Sequence, residues 1–296
     1  MALSPAPSRR ATPSILPPVA AVLAAIVSLS VGTSLAEHLF PAVGSEGTTT
    51  FRLGFAALLL MMAWRPWRRP LTPRDALAVA LYGAVLGTMN LVFYLALRTI
   101  PFGIAIAIEF AGPLALATLS SRRPIDFLWV GFAVLGLSQL LPVGERAGTL
   151  DPAGLAYAAT AGLAWALYIV CGQRAGRLRG ADTVALGTAV AALVVLPFGV
   201  ARAGGALLDP WTMLMGLGVA VLSSAVPYSL EMFALQRLPR HTFGVLLSVE
   251  PAVGALAGLA ILGQRLSAGQ WLAIGAIVTA SVGSAACASR RTVQES

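Results

Sequence analysis

Lysine is absent from this 296-residue chain: all 20 basic residues are arginine. A Walker phosphate-binding loop needs its lysine, and Schiff-base chemistry needs a lysine amine. Nucleotide hydrolysis of the Walker type, a retinal-type chromophore and Ser-Lys proteolysis are therefore excluded. Charge is scarce as well, at 11% of residues, against about a quarter in a soluble domain. There are two histidines, His38 and His241, and two cysteines, Cys171 and Cys287, both inside apolar blocks. No metal-ligand spacing results, and the cysteines read as packing residues. A His-Glu-x-x-His motif and paired intramembrane aspartates are missing, and Gly32-Thr33-Ser34 has no histidine base nearby. No enzyme and no cofactor is expected.

What is present is apolar: 57% hydrophobic residues and a mean hydropathy of +0.82. These residues form blocks of roughly 20, the length of helix that crosses the hydrocarbon core of a bilayer. Blocks run approximately over 17–40, 46–64, 75–97, 101–120, 126–143, 152–174, 182–201, 211–236, 241–262 and 269–288. Pro41, Pro101, Pro124, Pro152, Pro210 and Pro239 fall at the breaks, where helices are expected to end. The fold expected is thus all-α, integral to the membrane, with ten transmembrane helices. The first block is too long for the core of a cleaved signal peptide.

Arginine placement orients this layout. With the N-terminus in the cytoplasm, fifteen arginines fall in cytoplasmic segments and four (Arg98, Arg146, Arg202 and Arg265) on the other side, while Arg52 lies within a span. Such a bias is the positive-inside pattern. It accounts for the net charge of +8 without any nucleic-acid partner. The absence of long outer loops suits a bacterial inner membrane protein with both termini cytoplasmic. Residues 1–14 and 290–296 read as cytoplasmic tails.

The two halves resemble each other. Ala96-Leu97-Arg98-Thr99-Ile100-Pro101 aligns with Ala234-Leu235-Gln236-Arg237-Leu238-Pro239, and Gly103 to Glu109 with Gly244 to Glu250. Each copy carries a glutamate near mid-span followed by a proline, Pro113 or Pro251. Five spans is an odd number, so a second copy enters the membrane from the opposite side. The expectation is two inverted five-helix repeats, 15–145 and 146–289, the arrangement from which many secondary transporters build alternating access.

A charge at the bilayer centre costs about 3 kcal/mol or more, so intramembrane charges mark cavities or partners. Glu109 and Glu250 lead, being mid-span and repeat-related. A desolvated carboxyl can exchange a proton or bind an ammonium, and competition between the two is a minimal basis for antiport. The alternative is a protonated side chain that fixes helix packing. For Arg52 a permanent ion pair with a glutamate, or snorkelling to the outer surface, is favoured over a bidentate grip on a substrate carboxylate. Glu231 follows Pro227, which leaves a helical carbonyl without its donor. Glu231 sits either at a hinged helix or near the cytoplasmic interface. Glu37, His38 and Glu46, nearer the outer interface, are weaker candidates. Asn90, Tyr94, Trp165, Tyr168 and Tyr228 could line a cavity, although aromatics in membrane helices more often pack or anchor. Gly83 with Gly87, and Gly254 with Gly258, have the small-xxx-small spacing of close helix contacts.

Several longer stretches carry a family resemblance. They are Ile108-Glu109-Phe110-Ala111-Gly112-Pro113-Leu114 with Ser120-Ser121-Arg122-Arg123; Trp165-Ala166-Leu167-Tyr168-Ile169 with Gly172-Gln173-Arg174; Thr242-Phe243-Gly244 with Ser248-Val249-Glu250-Pro251-Ala252; and Gln270-Trp271-Leu272-Ala273-Ile274. With these the sequence resembles the EamA-type transporters of the drug/metabolite transporter superfamily, and among them the bacterial threonine and homoserine exporters. The resemblance implies ten helices in two inverted repeats and proton-coupled export of small metabolites such as amino acids. Gln264 departs from the glutamate usual in that family. Expected partners are a small-molecule substrate, protons, the lipid bilayer and a second copy in a homodimer. Efflux of cationic or aromatic compounds is the alternative, and a non-transporting membrane scaffold a remote one.

Overall fold

A computed structural model describes residues 16–119, 150–179, 181–235 and 249–294, together with 128–129, 131–132, 135–136, 139 and 246–247. The N-terminal tail, most of the expected span 126–143, Arg122, Arg123, Arg237, Arg240 and His241 lie outside the described residues. Among the described residues the chain is all helical, with no strand.

The helices are α1 (Leu16–Ala36), α2 (Phe40–Trp64), α3 (Pro73–Ala96), α4 (Phe102–Leu119), α5 (Pro152–Arg179), α6 (Ala181–Ala203), α7 (Pro210–Ala220), α8 (Val226–Leu235), α9 (Glu250–Leu262) and α10 (Ala268–Gln294). Helices α7 and α8 are one apolar stretch divided by a π-helical turn, Val221–Ala225. Among the described residues, five stretches are long and apolar enough to cross a membrane, and three shorter apolar helices accompany them. The longest, Leu16–Trp64, has 49 residues. At 1.5 Å per residue that is about two and a half times the bilayer core. It divides at the 3₁₀ turn Glu37–Leu39 and kinks at Gly44, whose φ of 72° suits glycine.

Helix ends follow local chemistry. Thr72 and Asp75 form a reciprocal capping box ahead of α3. Asp209 accepts the Thr212 N–H to start α7, and Asp151 accepts the N–H groups of Ala153 and Gly154 to start α5. Two ends differ from expectation. Helix α5 continues past 174 to Arg179, and α10 passes through residues 290–294, read above as tail. Neither stretch contains a proline to stop it.

Helix α2 packs on α6, α3 on α5 and α6, α4 on α5 and α9, and α1 on α8 and α9; α2 also touches α7. Glycines permit these approaches. A Cβ at Gly83 would meet the Gly187 carbonyl and Val190, and one at Gly87 the Ala191 backbone. Gly254 faces Ile106, and Gly258 faces the Gln264 amide and Phe102. Both predicted small-residue pairs therefore lie at helix contacts. The largest buried apolar cluster gathers Phe93, Tyr94, Phe102, Ile104, Ile274 and Ile277 from α3, α4 and α10. On the outside, Leu163, Leu193 and Leu272 are more than 60% exposed. Lone leucines this open in mid-helix suit a surface that faces lipid chains.

Candidate functional site

Proline positions create the polar interior. Pro227 lacks an N–H, so the carbonyl four residues earlier, on Ser223, loses its α-helical donor. The structure shows what replaces it. Arg52 Nη2 donates to Ser223 O at 2.9 Å, and Arg52 Nε to Ser224 Oγ at 3.0 Å. The π-helical turn that ends two residues before Pro227 presents both groups to α2. The Arg52 guanidinium also stands 5.3 Å from the centroid of the Tyr94 ring, within cation–π range.

Arg52 is 5% exposed, so it does not snorkel. Among the described residues no carboxylate lies within ion-pair distance of it; the pairs present are Arg69–Asp182 and Arg98–Glu46. The favoured expectation of a permanent ion pair or a snorkelling side chain is thus corrected. The carbonyl freed by Pro227 offers a nearer, already oriented acceptor.

Glu109 and Glu250 are each 8% exposed and interact electrostatically with one another and with Arg52. Helices α4 and α9 pack together, which brings the repeat-related pair into one interior. Their local settings differ. Glu109 lies within α4, four residues before Pro113, so its own carbonyl is the one that loses a donor. Gly162 of α5 approaches it: a Cβ there would stand 2.7 Å from Glu109 O. With hydrogen in place of a side chain, glycine allows that approach. Glu250 is the first residue of α9, with Pro251 in the opening turn. Proline suits a first turn, where its missing N–H has no partner to lose.

Glu231 lies one turn after Pro227. It interacts electrostatically with Arg52, Tyr82, Tyr168, Tyr228 and Glu250. It lies on α8, beyond the π-helical turn, and is half-buried. Tyr168 accepts a hydrogen bond from the Tyr82 hydroxyl at 2.9 Å, with the rings stacked at 4.9 Å. Tyr228 is coupled to Arg52, Ser224 and Tyr94. Tyr94 is fully buried, and its hydroxyl has no well-formed hydrogen bond among the described residues.

Two further candidates have local partners. Asn90 donates back to Leu86 O of its own helix. Trp165 packs edge-on against Phe110. Nearer the helix ends, Glu46 pairs with Arg98 at 3.7 Å. Sequence reasoning missed Ser223, Ser224 and Tyr82, and also Ser30 and Ser34, whose buried hydroxyls have no hydrogen-bond partner among the described residues. The available signal was hydroxyl side chains in apolar stretches, next to Pro227 in the case of the first two.

The interior therefore holds one guanidinium, three carboxyls and four tyrosines, supplied by α2, α3, α4, α5, α8 and α9. Arg52 has five N–H donors, and the two serines use two of them. Chemically, a guanidinium can bind a carboxylate, and a carboxyl an ammonium.

Residues 152–285 match the EamA-like transporter family. Over 268 residues the chain is 50% identical to the threonine/homoserine exporter RhtA of Escherichia coli (strain K12), covering 90% of each protein. The threonine/homoserine exporter RhtA of Salmonella typhimurium (strain SL1344) matches at the same identity and coverage. A crystal structure of a protein 21% identical superposes with a TM-score of 0.59, over 92% of this chain and 98% of the other. At that identity the likeness speaks for the fold alone.

Proposed function

Since the chain belongs to the EamA-like transporter family, we propose that it exports threonine, homoserine or similar small amino acids across the bacterial inner membrane by proton antiport. That it is a multi-pass membrane exporter of small metabolites follows from the kinship itself. The observation that supports the finer reading is the buried guanidinium of Arg52, which interacts electrostatically with Glu109, Glu231 and Glu250. The substrate carboxylate takes the free Arg52 donors. Its ammonium and a proton compete for the Glu109–Glu250 pair, so release of one on either side accompanies uptake of the other.

The proposed scaffold is ten transmembrane helices in two inverted repeats, 15–145 and 146–289, with both termini cytoplasmic and a homodimer as the assembly. The helix contacts support the repeat. Exchanging the halves turns α1 into α5, α2 into α6, α3 into α7 and α8, and α4 into α9. Under that exchange α2–α6 and α4–α9 map onto themselves. The α3–α5 contact becomes α1–α8, α3–α6 becomes α2–α7, and α4–α5 becomes α1–α9; all are present.

Flux of homoserine in proteoliposomes tests this reading. Glu109→Gln and Glu250→Gln are expected to abolish uptake driven by a pH gradient; unchanged proton-coupled flux in both sinks the carboxylate mechanism. The four tyrosines keep efflux of cationic aromatic compounds as a second reading. Cells expressing the chain should resist excess homoserine under the first, and quaternary ammonium dyes under the second.

A further inference from the structure

Away from that interior, a cleft of about 230 Å³ opens between α3 and α5, lined by Arg74, Leu77, Ala78, Leu81, Cys171 and Arg174. On α3, positions 74, 77, 78 and 81 follow the i, i+3, i+4, i+7 spacing of one helix face. On α5, Cys171 and Arg174 are likewise three apart. The cleft has a charged end and an apolar run. Both arginines are exposed, and among the described residues neither makes an ion pair. The neighbouring acids are engaged: Asp75 in the capping box with Thr72 and Asp182 with Arg69. Arg74 also occupies the first turn of α3, where the helix macrodipole opposes a cation. Its charge is therefore not explained by the helix that carries it. Leu77 and Leu81 are 62% and 53% exposed. From residue 74 to residue 81 the helix rises by about 10 Å, the length of a substantial part of an acyl chain.

We propose that this cleft is a binding site for an anionic phospholipid of the cytoplasmic leaflet. The phosphodiester sits between Arg74 and Arg174, and one acyl chain lies along Leu77, Ala78 and Leu81 against Cys171. Charge complementarity selects the occupant: two guanidiniums with no ion-pair partner among the described residues prefer a headgroup of net negative charge over a zwitterionic one. Basic clefts between transmembrane helices on the cytoplasmic side recognise lipids in this way. The assignment to the cytoplasmic leaflet rests on the orientation proposed above. Binding itself does not, and it is measured without any transport substrate.

The test uses the purified full-length protein in detergent, with Cys287→Ser leaving Cys171 as the sole thiol. Dioleoylphosphatidylglycerol, dioleoylphosphatidylethanolamine and inorganic phosphate are titrated separately. Thermal stability and the rate of Cys171 labelling by N-ethylmaleimide are followed. Phosphatidylglycerol should raise the melting temperature and, at ten times its Kd, slow labelling about tenfold, because roughly one site in ten is then vacant. Phosphatidylethanolamine and phosphate should do neither. Arg74→Gln with Arg174→Gln should weaken phosphatidylglycerol roughly 30-fold, from about fivefold per arginine. Leu81→Trp, which fills the apolar run and keeps both arginines, should also weaken it and stands in if the double variant does not fold. The proposal is overturned by equal protection from phosphatidylethanolamine, by equal protection from phosphate, or by wild-type affinity in the folded double variant or in Leu81→Trp.

Discussion

Replacing Arg52 with lysine separates its structural role from its role toward substrate. The charge is kept and the fork is lost. One ammonium cannot reproduce two donors set at 2.9 Å from Ser223 O and 3.0 Å from Ser224 Oγ. A hydrogen bond to a charged group contributes about 1.5–3 kcal/mol, so loss of one should destabilise the protein by about 2 kcal/mol. Ser223 O bears the loss, because Pro227 denies it an intrahelical donor. Pro227→Ala restores that donor. In the double variant the melting temperature should recover toward wild type, a coupling that a double-mutant cycle measures. Transport should not recover. Losing the bidentate grip on a substrate carboxylate raises the half-saturation concentration by about 10- to 150-fold, from the same 1.5–3 kcal/mol. The assay is homoserine flux into proteoliposomes, with thermal melting of the same preparations. Wild-type half-saturation in a stable Arg52→Lys protein would refute the substrate role. Failure of Pro227→Ala to rescue stability would refute the account of the freed carbonyl.

Other substitutions test the remaining geometry. Gly162→Val places a side chain against Glu109 O; overpacking of this kind costs about 1–3 kcal/mol and should lower both the melting temperature and flux. Gln264 Oε1 accepts the Phe102 N–H at 2.9 Å, in the first turn of α4. Gln264→Glu keeps that acceptor and should melt at or above wild type, whereas Gln264→Leu should lose about 1 kcal/mol. The Asp151 carboxyl is held below its ordinary value by hydrogen bonds, first from the Thr99 side chain and then from the N–H groups of Ala153 and Gly154. A lowered carboxyl stabilises the fold above its unfolded pKa of about 3.9 and loses that contribution as pH falls through the folded value. The melting temperature of Asp151→Asn should therefore be lower than wild type at neutral pH and fall less steeply below about pH 4.

The class of fold was legible in the chain because its cause is local. An apolar block of bilayer length has no other stable place. Helix starts at Thr72, Asp151 and Asp209 were written in capping chemistry that spans four residues. Glu109, Glu250 and Glu231 stood out because a carboxyl among apolar residues is costly wherever the helix ends up. Pro227 even announced a freed carbonyl. The partner of that carbonyl was decided elsewhere. Arg52 lies 171 positions from Ser223, and only the packing of α2 against the π-helical turn makes it the donor rather than the pair or snorkelling side chain expected of it. The same holds for Gly162 beneath Glu109, Tyr82 on Tyr168 and Gln264 at the start of α4. Segment length and hydropathy determine which stretches become helices; which side chains meet depends on rotation and approach between helices distant in the chain, and those belong to the tertiary structure.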